Sequence, residues 1–199
     1  MKLLTICITL FLLGGCAAVI QAPDTLHTTT HSKVRNQNLA YLKDFEVIGK
    51  IGFSDGKQGG NASVVWEQHP QSYQIRLYGP LGSQAIQIKG EPNRVSLTKT
   101  DGKIITANTP EALVHQELGW VIPVSGLRYW LRGLPAPGTA PKKMLLDGSN
   151  RLWQIDQQGW KIQYQAYKSI EGRDVPYKLL LTNGSIRLKF IFDRWSLGE

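Results

Sequence analysis

Cysteine is nearly absent from this chain of 199 residues, and the two that exist, Cys7 and Cys16, both lie near the N-terminus. Beyond Cys16 there is no thiol for a disulfide, a redox pair or a thiolate metal site. Catalytic signatures are also missing. There is no Gly-x-Ser-x-Gly, no nucleophilic cysteine, no His-Glu-x-x-His and no phosphate-binding loop. Ser125 and Ser169 have no evident base, and the acidic residues are scattered with no close pair on a recognisable framework. Of the four histidines, His27, His31, His69 and His115, only the first two have a helical offset, in a segment with little helix character. All four read as solvated or structural. These absences speak against an enzyme, and nothing calls for a metal or a cofactor. Negative charge is scarce: 15 Asp and Glu face 23 Lys and Arg, for a formal net charge of +8. The cations are spread along the chain, with Lys142-Lys143 the longest run.

Long apolar runs are lacking as well. The one from Leu3 to Leu13 is shorter than the ~20 residues a bilayer span needs. It follows Lys2 and ends in Gly14-Gly15-Cys16, which is the layout of an export signal closed by small residues. The cysteine directly after the small pair makes this leader resemble a bacterial lipoprotein signal. That resemblance implies removal of residues 1–15 and acylation of Cys16. With Ala17 rather than Asp following, it implies sorting to the outer membrane. Export argues against nucleic acid as the partner of the basic surface. An anionic membrane surface and simple solvation both remain open. Residues 16–32, Thr-rich with Pro23 and little apolar periodicity, read as a flexible tether, and 33–199 as one domain.

Within that domain, Leu39, Leu42 and Phe45 predict a short amphipathic helix over Lys33–Asp44. From Phe45 the period becomes two. Alternating segments at Phe45–Phe53, Ala62–Glu67, Ser72–Tyr78, Ala85–Lys89, Asn93–Thr100 and Lys103–Ala107 are separated by turn residues. Thr109-Pro110-Glu111 opens a helix that Gly119 ends. A second helix starts near Ser125, with Leu127, Trp130, Leu131 and Leu134 as its apolar stripe and Arg128 and Arg132 on another face; Gly133 and Pro135 close it. A loop is expected over Ala136–Lys143. Strands return at Arg151–Asp156, Trp160–Tyr167, Val175–Thr182 and from Ile186 onward, with Asn183-Gly184 as a hairpin turn. In the second of these, Trp160, Ile162, Tyr164 and Ala166 are expected to share a face, and Pro176 suits a strand start or an edge. The expected fold is mainly β with α: a large, strongly curved antiparallel sheet covered by short helices.

Pattern alone favours a filled core over a cavity, since Ile, Leu and Trp stripes usually pack. One turn is unusual. Gly79-Pro80-Leu81-Gly82 places Leu81 at a tip where polar residues are normal. Folding back onto the body is the commoner outcome for such a residue; probing a membrane or partner is the other.

Three stretches carry a family resemblance. Tyr78-Gly79-Pro80-Leu81-Gly82-Ser83 resembles the protruding loop of the LolB family. The stretch Ile122 to Pro135, with Leu127-Arg128-x-Trp130 and Gly133-Leu134-Pro135, is similar to that family's central segment. Ile186-Arg187-Leu188-Lys189 with Trp195 fits its last strand. The resemblance spans essentially the whole mature chain. It implies an unclosed β-barrel with a helical lid and an apolar cavity for acyl chains, which reverses the preference for a filled core. It implies a monomeric outer-membrane receptor, lipid-anchored and facing the periplasm. Such a receptor accepts acylated lipoproteins from the periplasmic carrier LolA and inserts them into the inner leaflet of the outer membrane. It further implies that Pro80, Leu81 and Gly82 form a membrane-insertion loop. The cavity walls, taken from the alternating faces, are Ile75, Leu77, Ile86, Ile88, Leu97, Trp130, Leu131, Ile162 and Phe190. The rival expectation is a lipid-anchored structural or assembly lipoprotein with a solid core.

Overall fold

The computed structural model describes residues 27–28, 39–79, 85–119 and 121–198. The expectations for the leader, Cys16, Pro80, Leu81 and Gly82 lie outside the described residues.

Among the described residues, twelve strands form one antiparallel sheet. In chain order they are β1 (His27–Thr28), β2 (Phe45–Ser54), β3 (Gly59–Gln68), β4 (Tyr73–Tyr78), β5 (Ala85–Glu91), β6 (Arg94–Thr98), β7 (Ile104–Ala107), β8 (Lys143–Leu146), β9 (Leu152–Gln157), β10 (Trp160–Ile170), β11 (Arg173–Asn183) and β12 (Ile186–Leu197). Helices α1 (Pro110–Leu118) and α2 (Val124–Trp130) lie between β7 and β8. The spatial order is β1-β8-β9-β10-β11-β12-β2-β3-β4-β5-β6-β7. Two meanders, β2–β7 and β8–β12, are thus joined where β12 pairs with β2, and the sheet ends in β1 and β7 without closing.

Alternation aligns the apolar residues across strands into rows on the inner face. One row runs Ile105, Leu97, Ile88, Ile75, Trp66, Val47, Trp195. Another runs Ala62, Ile51, Phe190, Leu179, Tyr164. Register shifts interrupt the ladders at Phe192/Arg194 and on either side of Ala166. Each adds local twist, which curves the sheet. At the first, the β12 backbone passes so close to β2 that a Cβ on Gly49 would lie 2.2 Å from the Ile191 carbonyl oxygen. Glycine is the residue that permits this approach.

Local sequence accounts for the helix ends. Thr109 Oγ1 accepts from the Ala112 N–H at 3.1 Å, and Gly119, at φ 69°, closes α1 by donating to His115 O. After α2, the Leu134 N–H reaches Tyr129 O at 3.0 Å while Gly133 takes φ 74°. This left-handed termination stops the second helix at Trp130, short of Leu134.

Four expectations change. The helix expected over Lys33–Asp44 does not reach Asp44: Leu39 to Tyr41 form a tight turn, the Leu42 N–H donates to Leu39 O, and residues 42–44 are not helical. Part of the loop expected at 136–143 leads into β8, and His27–Thr28, inside the expected tether, pair with that strand. The bulge at Ala166 shifts the alternation, so that Tyr167 rather than Ala166 joins Tyr164 against the core, with ring centroids 5.9 Å apart. Pro176, by contrast, is not at a strand start but does lie on a local edge, as expected. It sits inside β11, beside that bulge and beyond the β12 pairing, where its missing N–H interrupts no ladder.

Candidate functional site

The inner face is covered unevenly. Helix α1 packs on β6 and β7, where Leu113 closes a small cluster with Val95, Leu97 and Ile105. Helix α2 and the chain after it lie over β9 and β10. Their pin is Gln157, which is 1% exposed and fully hydrogen-bonded. Its Oε1 accepts from Trp130 Nε1 at 2.7 Å and from the Ala136 N–H at 2.9 Å. Its Nε2 donates to the carbonyls of Ala136 at 2.7 Å and Thr139 at 2.6 Å. Tyr164 Oη adds a bond to Trp130 O at 3.0 Å. Burial of this hydroxyl pushes its pKa far above the ordinary tyrosine value, so it remains a neutral donor.

Arg132 was expected on a polar face. It is instead 6% exposed. Its guanidinium donates to Arg128 O at 2.8 Å, to Leu39 O at 3.1 Å and to Leu42 O, and stacks near the rings of Phe45 and Tyr129. Burial lowers its pKa. The residue ties the N-terminal turn to α2 without any carboxylate. Sequence periodicity cannot see this, because the partners are backbone carbonyls some ninety positions away.

Between the two covered regions lies a corner of the inner face that neither α1 nor α2 buries fully. Ile51, Phe53, Leu77, Ile86 and Ile88 are each only half-buried there, although their strand partners continue the apolar rows. Ile88 touches both clusters and joins them. The Phe53 ring lies across Gly60, filling space that a side chain would otherwise occupy. The corner sits at the end of the sheet where β4 runs into its connection with β5.

Of the nine residues expected as cavity walls, the seven on strands lie on the inner face, while Trp130 and Leu131 belong to the end of α2. Their surroundings differ. Ile75, Leu77, Ile86, Ile88 and Leu97 form one contiguous group across β4, β5 and β6. Trp130, Leu131, Ile162 and Phe190 are 0–2% exposed and packed into the main core, with no surface free for a ligand while α2 stays in place. Ile51 and Phe53 were missing from the expected set. Their alternation in Phe45–Phe53 was the available signal.

A separate pocket of about 290 Å³ opens near the start of both helices, lined in part by Trp66, Tyr73, Arg94, Val124, Ser125 and Arg128. Tyr73 Oη and Arg128 Nε are buried there without hydrogen-bond partners among the described residues. Burial first, and the Glu111 carboxylate second, push the Tyr73 phenol up to about 12. Glu111 also accepts from the Ser125 N–H at 2.7 Å and so holds α2 against α1. No cluster of His, Cys, Asp and Glu suited to a metal exists among the described residues, and none of their helices is long and apolar enough to cross a membrane.

Comparison with known proteins agrees with this architecture. The family model described as outer membrane lipoprotein LolB matches residues 43–195. The outer-membrane lipoprotein LolB of Nitrosococcus oceani is 34% identical over 99% of this chain and 98% of its own. That of Pseudomonas fluorescens is 36% identical over 92% of this chain and 90% of its own. Among solved structures, a LolA superfamily protein from Nitrosomonas europaea superposes with a TM-score of 0.51, at 11% identity, over 80% of this chain and 88% of that one. A putative outer membrane lipoprotein-sorting protein domain from Vibrio parahaemolyticus gives 0.50 at 7% identity, over 78% and 86%. The structural likenesses carry the fold alone; the sequence matches, spanning the sheet, both helices and nearly the full chain, place this protein in the LolB family of outer-membrane lipoproteins.

Proposed function

We propose that the protein is the outer-membrane receptor that accepts acylated lipoproteins from a LolA-type periplasmic carrier and delivers them to the outer membrane. The observation that carries this reading is the half-buried apolar corner of Ile51, Phe53, Leu77, Ile86 and Ile88 on the inner face of a LolB-family chain. A lipoprotein presents acyl chains that water excludes, at about 0.8 kcal/mol per buried methylene. A concave apolar surface open at one end takes such a chain lengthwise. Sites for small polar ligands instead place convergent polar groups among their apolar walls. Transfer on this surface makes and breaks no covalent bond. Direction comes from differential affinity, each acceptor holding the chains better than the donor before it. Cys16 carries the anchor, and Leu81, in the β4–β5 connection, is the residue that enters the bilayer during release.

The test mixes a Cys16→Ala form with a carrier bearing a fluorescent lipoprotein, then adds liposomes. Label is expected to move first to this protein and then to the liposomes. Ile86→Asp is expected to impair the first step, and Leu81→Glu to spare the first and block the second. Label that stays on a carrier able to release to its own receptor refutes the proposal.

A further inference from the structure

The two ends of the sheet differ in charge. At one end lie the turns at 55–58, 99–103, 158–159 and 184–185, with the start of β8 beside them. Six exposed cations stand there: Lys57, Lys103, Lys142, Lys143, Lys161 and Arg187. None has an ion-pair partner among the described residues. Three carboxylates, Asp55, Asp101 and Asp156, stand nearby and stay charged, so the six cations leave this end net positive. Asp55 accepts the N–H groups of Lys57 and Gln58, both at 2.9 Å, which holds its pKa below the ordinary value. Asp101 accepts the Lys103 N–H, and Asp156 the Gln154 side-chain amide. Exposed Lys50 and Lys189 continue the positive surface along the outer face of β2 and β12. At the opposite end the signs are mixed: exposed Lys43, Arg94 and Lys168 stand among exposed Glu91 and Glu171, and Arg151 pairs with Asp147 and Asp174.

This geometry points to the basic hairpin end as a docking surface for the anionic headgroups of a phospholipid bilayer. Docked there, it holds the open apolar corner, which lies at the same end, toward the membrane. The inference rests on the receptor reading above for its purpose. The acyl anchor brings the domain to a membrane but fixes no orientation. His27 pairs with Leu146, toward the opposite end of the sheet, and stands eleven residues from Cys16. Eleven residues of any sequence span at most about 36–40 Å, and a ten-residue strand such as β2 is about 34 Å long. The tether therefore lets either end face the bilayer, and the charge distribution selects one. Each cation close to an anionic surface raises occupancy about fivefold, an effect that fades within a Debye length of about 8 Å at physiological salt.

The experiment uses the lipidated full chain reconstituted in vesicles, with a donor dye on Ser185→Cys at the basic end or on Ser169→Cys toward the opposite end. An acceptor is placed in the lipid headgroups; acylated Cys16 does not take the dye. In vesicles containing phosphatidylglycerol, energy transfer from position 185 is expected to exceed that from 169. The triple substitution Lys57→Gln, Lys103→Gln, Arg187→Gln is expected to reduce the ratio of the two orientations by about a hundredfold at low salt. One molar salt, where the Debye length is about 3 Å, abolishes the preference. Equal transfer from both positions overturns the proposal, and so does a preference unchanged in pure phosphatidylcholine. An unaltered orientation in a triple variant that has lost carrier binding also overturns it, and assigns the cations to an acidic protein instead. Acyl-probe uptake measured in the same samples keeps the two readings apart: uptake without orientation sinks the docking surface alone, and absent uptake sinks the receptor.

Discussion

Replacing Gln157 with Leu removes the pin that holds the chain after α2 to the sheet. The side chain makes four hydrogen bonds between 2.6 and 2.9 Å, all inside the fold. Leucine approximates the shape but offers no polar atom. The carbonyls of Ala136 and Thr139 lose a donor, a milder loss because carbonyls are more often left under-satisfied. The Trp130 indole N–H and the Ala136 N–H lose their acceptor, and each buried donor left unsatisfied costs about 1–3 kcal/mol. The two together give about 4 kcal/mol, a large part of the ~5–15 kcal/mol that holds an ordinary domain together. With a urea slope of about 2 kcal/mol per molar, the unfolding midpoint should fall by about 2 M. Acyl-probe binding in the absence of urea should survive, because the half-buried corner on β2, β4 and β5 does not touch this pin. A midpoint shift below about 0.5 M would show that the four bonds do not hold the chain as argued. Unchanged stability with lost probe binding would refute the assignment of the open corner as the first binding surface.

Tyr73 gives a pH signature. Its folded pKa of about 12 exceeds the ordinary value of 10, so the stability it contributes is complete below pH 10 and is lost as pH rises toward 12. Tyr73→Phe should flatten the alkaline fall in stability relative to the parent chain. Because its hydroxyl has no partner among the described residues, the substitution should leave neutral-pH stability unchanged or raise it by about 1 kcal/mol. Chemical unfolding at pH 7 and pH 11 checks both, and a large loss at pH 7 would contradict the reading. Arg132→Lys keeps a charge but cannot bridge the carbonyls of Leu39, Leu42 and Arg128 as a planar fork does. The N-terminal turn should loosen, and chymotryptic cleavage after Tyr41, already 83% exposed, should accelerate several-fold; unchanged cleavage would mean that Leu39 and Leu42 hold the turn by packing alone.

What was legible in the sequence follows from how far each interaction reaches along the chain. Strands with period-two alternation and helices with local caps were readable because their determinants lie within a few residues, as at Thr109-Pro110-Glu111 and Asn183-Gly184. The inner face was assigned correctly for the same reason. Bulges were not readable. The one at Ala166 shifts the alternation by one residue, and only the pairing with β11 reveals it. The burial of Arg132 and the hub at Gln157 depend on carbonyls and an indole brought close by the fold. A lone glutamine in a strand carries no local mark of such a role. Coverage was beyond reach as well. Period two says that Ile162 and Ile86 both face inward, yet one is fully buried in the main core and the other stays half-buried at the margin of the cluster under α1.

That difference in coverage bears directly on how a receptor lets go. A fully enclosed acyl site would gain the whole transfer free energy of each methylene, matching the interior of a bilayer and leaving no gradient for release. In the corner formed by Ile51, Phe53, Leu77, Ile86 and Ile88, the side chains remain half-buried before any ligand arrives, so neither α1 nor α2 covers them fully. An acyl chain lying there keeps part of its surface wet, so it recovers only part of that free energy. The bilayer supplies the remainder, and transfer to the membrane runs downhill without a chemical step. The same openness is affordable because the packed half beneath α2, fixed by Gln157 and Tyr164, carries the stability of the domain. Folding and binding are thereby assigned to opposite halves of one sheet, and a substitution in the open corner can weaken cargo uptake while leaving the unfolding midpoint almost unchanged.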